Sequence, residues 1–190
     1  MALKKGDMET NFTVRTFDVD IPVEEYRALP RHNLYIILDN LRSAFNVGAI
    51  FRLADTMRVA ELFLCGYTAY PPHTKLAKTS LGTIDYVPWR HFPTTMDAVA
   101  HCRAQDIHLW GAETTSHSHL YTEVRPPRKV ALILGNEALG ISEPVLKACD
   151  LLIEIPTFGY KNSLNVATAC SVLGYTILEK MEVFTERNTP

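Results

Sequence analysis

Leu34-Tyr35-Ile36-Ile37-Leu38 is an uninterrupted apolar run, closed by Asp39-Asn40 on its far side. A strand with one wet face alternates apolar and polar residues. A continuous run of this length is expected of a strand covered on both faces, as in a parallel sheet. Working outward, similar runs recur at 61–65, 107–112, 129–134 and 151–155. Helical periodicity fills the gaps between them. Val47, Ile50, Phe51 and Ala54 fall on one face of a helix that Asn46 is suited to cap, and 95–104 reads as a second helix. Strands alternating with helices predict one α/β domain, with a mostly parallel sheet and flanking helices.

The chain closes on a long helix, predicted over 165–181. Val166, Cys170, Leu173, Ile177 and Met181 make one stripe on it, and Leu164, Ala167, Ser171, Gly174 and Leu178 a second, smaller-residue stripe. Two non-polar stripes imply two packing neighbours, one of which is expected to be a second copy of the chain. At the other end, residues 1–32 are polar and lack sustained periodicity. They read as an N-terminal arm with one short helix near 23–28, leaving 33–190 as the domain proper.

Composition narrows the function classes. The formal net charge is −2 over 190 residues, which speaks against a strongly basic nucleic-acid module while leaving room for a local basic patch. Cys65, Cys102, Cys149 and Cys170 are scattered through apolar stretches, so buried free thiols are expected rather than disulfides or zinc ligands. His117 and His119 have no neighbouring cysteine or carboxylate to complete a metal set, and no metal is expected. Neither a membrane-length apolar run nor a signal-peptide core is present, so the expected location is the cytoplasm.

In open α/β sheets, ligands bind beyond the carboxyl ends of the strands. Three of the loops there are unusual. The first spans 39–52, with Asn46, Gly48 and Arg52. The second is Gly135-Asn136-Glu137-Ala138-Leu139-Gly140-Ile141-Ser142, and the third runs from Ile155-Pro156 to Ser163-Leu164-Asn165-Val166. The second has P-loop glycine spacing but lacks the lysine that would hold a terminal phosphate, and no GxGxxG follows the first strand. Taken singly, each loop has a plain reading: Gly135 and Gly140 turn the chain, Arg52 is an exposed helix arginine, and Ser163 and Asn165 cap the last helix. Asn46 and Arg52 lie six residues apart, so helix geometry alone does not unite them.

Taken together and in this order, the three loops resemble the signature motifs of the SpoU, or TrmH-like, branch of the SPOUT methyltransferases, over roughly residues 33–179. Lys78-Thr79-Ser80-Leu81-Gly82 also resembles a segment common in that branch. The resemblance implies a parallel α/β sheet with a C-terminal trefoil knot. It implies S-adenosyl-L-methionine (AdoMet) bound by Ala112, Glu113, Leu134, Gly135, Ile155, Ser163 and Leu164. The implied reaction is methyl transfer to a ribose 2′-hydroxyl of RNA, with Arg52, Asn46, Glu137, Ser163 and Asn165 as the working residues.

An arginine stays protonated in proteins, so Arg52 is expected to hold a phosphate and stabilise an oxyanion rather than to act as a base. Glu137 is expected to anchor its loop or to contact the nucleotide. Transfer RNA is the favoured substrate and ribosomal RNA the second, with Arg42, Lys75, Lys78 and Lys161 as candidate phosphate contacts. Two rivals remain at this stage: a non-catalytic RNA-binding protein on the same fold, and an enzyme acting on small nucleotides.

Overall fold

A computed structural model describes residues 21–185. Its first helix, α1 (Val23–Ala28), carries no buried residue. It is nonetheless tied to the body by Tyr26, whose hydroxyl donates to Asp55 Oδ1 (2.7 Å), and by Arg27, which donates to the Asp85 carbonyl. Residues 1–20 of the expected arm lie outside the described residues.

Seven strands form one sheet: β1 (His32–Asp39), β2 (Val59–Cys65), β3 (Trp89–Phe92), β4 (His108–Ala112), β5 (His119–Leu120), β6 (Val130–Leu134) and β7 (Leu151–Glu154). Their spatial order is β3-β2-β1-β6-β4-β7-β5, and every ladder between them is parallel. The continuous apolar run of β1 is explained by its central place between β2 and β6. Leu34, Ile36 and Leu38 point to one face and pack with α2 (Ala44–Thr56) and α6 (Val166–Lys180). Ile37 points to the other, with α4 (Thr95–Arg103) and α5 (Glu143–Ala148). All four side chains are fully buried, each contributing about 1.5–3 kcal/mol relative to exposure. The result is a three-layer sandwich whose loops converge at the carboxyl edge of the sheet.

Local chemistry sets the helix starts. Thr94 and Asp97 form a reciprocal capping box at α4. At α2 the structure corrects the expected cap. Ser43, in extended conformation, accepts from Asn46 N (3.3 Å), so the cap lies three residues before Asn46 and the helix begins at Ala44. Asn46 therefore sits in the first turn with its side chain free for other work. Gly48 is required there because α3 (Thr74–Ser80) crosses so closely that a Cβ would collide with Thr79. That collision gives the 78–82 segment a structural role.

The stripes of α6 need a similar correction. Cys170, Leu173 and Ile177 are buried as expected, but so are Gly174 and Leu178 of the second stripe. A Cβ at Gly174 would lie 2.5 Å from Met57 Sδ. The small residue thus admits α2 of the same chain, which removes it from the evidence for a second copy. Short elements absent from the sequence reading, namely α3, β3, β5 and α5, complete the frame. Among the described residues, no helix is long and apolar enough to cross a membrane.

Candidate active site

The loops that follow β6, β4 and β7, three adjacent strands, enclose a cavity of about 760 Å³ at the carboxyl edge of the sheet. Ala112 and Glu113 leave β4 into it, Leu134 and Gly135 leave β6, and Ile155, Ser163 and Leu164 belong to the long loop after β7. Every residue expected to hold the cofactor therefore lines one space. Leu134, Ile155, Leu164 and Leu173 supply apolar wall. The loops bring backbone N–H and C=O groups, the combination that suits a flat heterocycle with polar edges.

The loop after β6 closes on itself. Asn136 N donates to the Gly140 carbonyl (3.0 Å), and Gly140 N donates to that of Asn136 (2.9 Å). Asn136 Oδ1 accepts from Ala138 N and Leu139 N, folding the tip. Gly140 has φ +69°, and a Cβ on it would strike the Glu113 carboxylate, while one on Gly135 would strike the backbone at Gly140–Ile141. Glu113 Oε2 in turn accepts from Ile141 N (2.9 Å). The glycines do turn the chain, and they also hold β4 and β6 loops at contact distance.

A hydrogen-bonded chain crosses from this loop to α2 and α6. Glu137 accepts from Arg42 N (2.8 Å), Ser43 N (3.1 Å) and Asn46 Nδ2 (2.9 Å). Asn46 Oδ1 accepts from Asn165 Nδ2 (3.1 Å). Asn165 Oδ1 caps α6 by accepting from Ala167 N (2.9 Å) and Thr168 N (3.4 Å). Partial burial pushes the Glu137 carboxyl up. The N–H groups of Arg42, Asn46, Glu137 itself and Ser43 outweigh that push and leave it below its ordinary value. Glu137 is thus a fixed anion, well suited to anchoring two loops and poorly suited to carrying a proton near neutrality.

The structure thus joins three of the five expected working residues: Asn46, Glu137 and Asn165. Ser163 lines the same cavity, exposed and outside that chain, so only Asn165 realises the capping role. Arg52 is not brought in. It is exposed on α2, about 9 Å along the helix axis from Asn46, and among the described residues it makes no hydrogen bond or ion pair.

Sequence reasoning missed Asp39 and Asn136. Asp39, 1% exposed, accepts from Thr95 Oγ1, Asn40 Nδ2, and both Ser142 N and Ser142 Oγ. Asn136 Nδ2 donates to the Asn40 carbonyl and to Tyr67 Oη, both at 2.6 Å. A lone acid ending an apolar strand was the available signal for Asp39; nothing local marked the reach of Asn136. Burial pushes the Cys65, Cys102 and Cys170 thiols up to about 12, and all three are free. Among the described residues, no cluster of three or more His, Cys, Asp or Glu could hold a metal.

The sequence profile of the SpoU rRNA methylase family matches residues 33–175. A Staphylococcus saprophyticus protein named for the TrmH family of tRNA/rRNA methyltransferases is 28% identical over 171 residues, 90% of this chain and 66% of its own. A structure assigned to the TrmH family of RNA methyltransferases, from Porphyromonas gingivalis, is 29% identical. It covers 78% of this chain and 60% of that one, with a TM-score of 0.70. The AdoMet complex of a SpoU methyltransferase from Streptomyces viridochromogenes is 27% identical over 85% of this chain and 62% of that one, also at 0.70. The chain spans roughly two thirds or less of the length of these relatives.

Proposed function

The chain belongs to the SpoU rRNA methylase family, and from that membership we propose that it transfers a methyl group from AdoMet to a ribose 2′-hydroxyl of RNA. One observation carries the reading. The seven residues expected to bind AdoMet line a single cavity, with Asn46, Glu137 and Asn165 joined at its rim. The residues present fit the cofactor electrostatically as well. Three carboxylates, Glu113, Glu137 and Glu154, and no Lys, Arg or His line the cavity, which favours a ligand bearing sulfonium and ammonium charge. Held by Ala112, Glu113, Leu134, Gly135, Ile155, Ser163 and Leu164, AdoMet would supply an electrophilic methyl carbon for the ribose 2′-oxygen and leave as the neutral thioether, with the hydroxyl proton passing to water.

The protein's own part is placement and charge. Asn46, Asn165 and Ser163 orient the ribose at the rim, with the first two pre-set by their mutual hydrogen bond and by the α6 cap. Glu137 keeps the β6 loop docked on the start of α2. Arg52, exposed and without a partner in the described residues, holds the neighbouring phosphate and offsets the negative charge that grows on the 2′-oxygen.

Transfer RNA is the favoured substrate, because it offers unpaired nucleotides in a small folded body. The working form is a homodimer. That is supported by exposed Tyr175 and Phe184 at and beyond the end of α6 and by an Arg52 that no group among the described residues engages. The strand order β6-β4-β7, with the loops after all three strands lining one cavity, supports a C-terminal trefoil knot. The buried free thiols suit the cytoplasm.

Incubation with methyl-labelled AdoMet and either total RNA or free nucleosides tests the reading. Label recovered as 2′-O-methylnucleoside from RNA alone is the expected result. Label on nucleosides would make the chain a small-molecule enzyme, and RNA binding without transfer would make it a binding protein. Either outcome sinks the proposal.

A further inference from the structure

A second cavity, of about 600 Å³, opens at the same edge of the sheet, between the loops that follow β1 and β2. Three aromatic side chains line it and all are exposed: Phe45 (60%), Tyr67 (61%) and Tyr70 (44%). Arg42, His73 and Lys75 line it too, and no Asp or Glu does. Among the described residues neither the Arg42 guanidinium nor the Lys75 ammonium makes a hydrogen bond or an ion pair. Exposed rings beside cations, with no carboxylate in the lining, are complementary to a ligand that carries both a flat ring and negative charge.

The floor and walls are rigid. Thr68, buried, accepts from Leu41 N (2.9 Å) and donates to the Leu38 carbonyl (3.2 Å). Tyr70 stacks on His91 with ring centroids 4.1 Å apart, and His73 Nδ1 accepts from Leu76 N (3.4 Å). Tyr67 is held through its hydroxyl by Asn136, and the backbone of Arg42 and Ser43 by Glu137. Residues of the cofactor loop thus form the partition between the two cavities. Rings already fixed in place lose little conformational freedom when something stacks on them.

We propose that this cavity is a binding pocket for one unpaired nucleotide of the RNA, adjacent to the nucleotide that is methylated, with its base on the Tyr67–Tyr70–Phe45 rings and its phosphates on Arg42 and Lys75. The proposal rests on the methyltransferase reading and names the substrate feature that reading leaves open, a single-stranded neighbour presented with its base splayed out. A base stacked on an aromatic ring with a cation on its phosphate is the common chemistry of single-strand binding. The cation-lined, carboxylate-free wall suits a phosphodiester better than the sulfonium ligand that suits the first cavity. A duplex, whose bases are stacked on each other, has none to offer the rings.

The test is fluorescence anisotropy with a labelled uridine pentanucleotide on the AdoMet-bound protein, for wild type, Tyr70→Ala, Tyr70→Phe and Lys75→Ala, alongside AdoMet titrations and methyl transfer to total RNA. Tyr70→Ala is expected to weaken pentanucleotide binding about 10-fold, and Tyr70→Phe, which keeps the ring, to restore it. Lys75→Ala should lower the slope of log affinity against log salt by about 1. AdoMet affinity should change less than about twofold in each, because the partition contacts are untouched. Wild-type methylation of RNA with unaltered pentanucleotide binding in Tyr70→Ala overturns the pocket and leaves the reaction standing. Pentanucleotide binding lost in Tyr70→Ala without methylation by any variant supports the pocket and removes the reaction. A Tyr70→Ala chain that changes its sedimentation while binding the oligonucleotide as before identifies the cavity as a contact between copies, and overturns the proposal.

Discussion

The two cavities share one edge of one sheet and a common partition, yet they are built in opposite ways. The cavity beyond β6, β4 and β7 is lined by apolar side chains, backbone and three glutamates. Two of these, Glu113 and Glu137, are engaged by backbone N–H groups. The cavity beyond β1 and β2 is lined by rings and cations whose charged ends have no partner among the described residues. The first is shaped for a ligand that is always the same, since hydrogen-bonded loops and glycines that tolerate no Cβ fix its geometry. The second is shaped for a polymer, with sequence-tolerant stacking and salt-sensitive charge. The contrast teaches that a near-neutral net charge of −2 conceals local fields of opposite sign, and bears little on what either field binds.

The strongest way to break this division is at Arg52, which lines neither cavity. If it acts on the charge that develops during transfer, Arg52→Ala should lower the rate constant about 10²- to 10³-fold and leave AdoMet affinity, measured by calorimetry, nearly unchanged. A parallel collapse of both would place Arg52 among the cofactor contacts instead.

Gly135→Ala probes the rigid cavity. Its Cβ meets the backbone of Gly140 and Ile141, which cannot yield as a side chain would. AdoMet affinity should fall about 10- to 100-fold as the loop is displaced, at a cost of about 1–3 kcal/mol. Pentanucleotide binding should suffer less, because only the partition is shared. Equal losses would mean that the two cavities are one site.

Glu137→Gln tests the partition itself. The amide presents N–H toward donors that now meet a carboxylate, so thermal stability should drop by about 1 kcal/mol, the modest figure reflecting solvent exposure. Because Glu137 titrates below its ordinary value in the folded chain, its contribution is complete above about pH 4.3 and disappears as pH falls through the lowered value. The gap between wild type and Glu137→Gln should therefore close on acidification; a gap that widens toward low pH contradicts the assignment.

The smallest effect is expected at Lys78, which lies on α3 outside both cavities. Lys78→Ala should change RNA affinity less than Lys75→Ala in the same titration, sharpening the boundary of the basic patch.

Much of this was legible in the chain. The unbroken apolar run 34–38 gave the central strand of a parallel sheet because burial on both faces erases alternation. The resemblance of the three loops named seven residues as cofactor-binding, and all seven line one cavity. Other features were not legible, for stated physical reasons. Asn46 looked like a cap because it precedes the apolar stripe, but Ser43, in extended conformation, takes that role. Gly174 looked like an interface residue because a small stripe does not say which neighbour it admits; Met57 of the same chain answers that. β3 exists through its pairing with β2, and α3 through the His73 cap and the burial of Leu76, none of which leaves a periodic signature in so short a segment. The second cavity was visible only as Arg42 and Lys75, because two of the three rings that line it, Tyr67 and Tyr70, come from a loop more than twenty residues beyond Arg42.

The central claim is that the carboxylate-lined cavity holds the cofactor and the cation-lined one does not. A crystal structure of the chain with AdoMet tests it most directly. AdoMet between residues 134–141 and 155–164, with its methyl group facing Asn46 and Asn165 and the cavity around Tyr67 and Lys75 free of it, is the expected result. AdoMet seated against Tyr67, Tyr70 and Lys75, or bound away from both loops, would contradict the account.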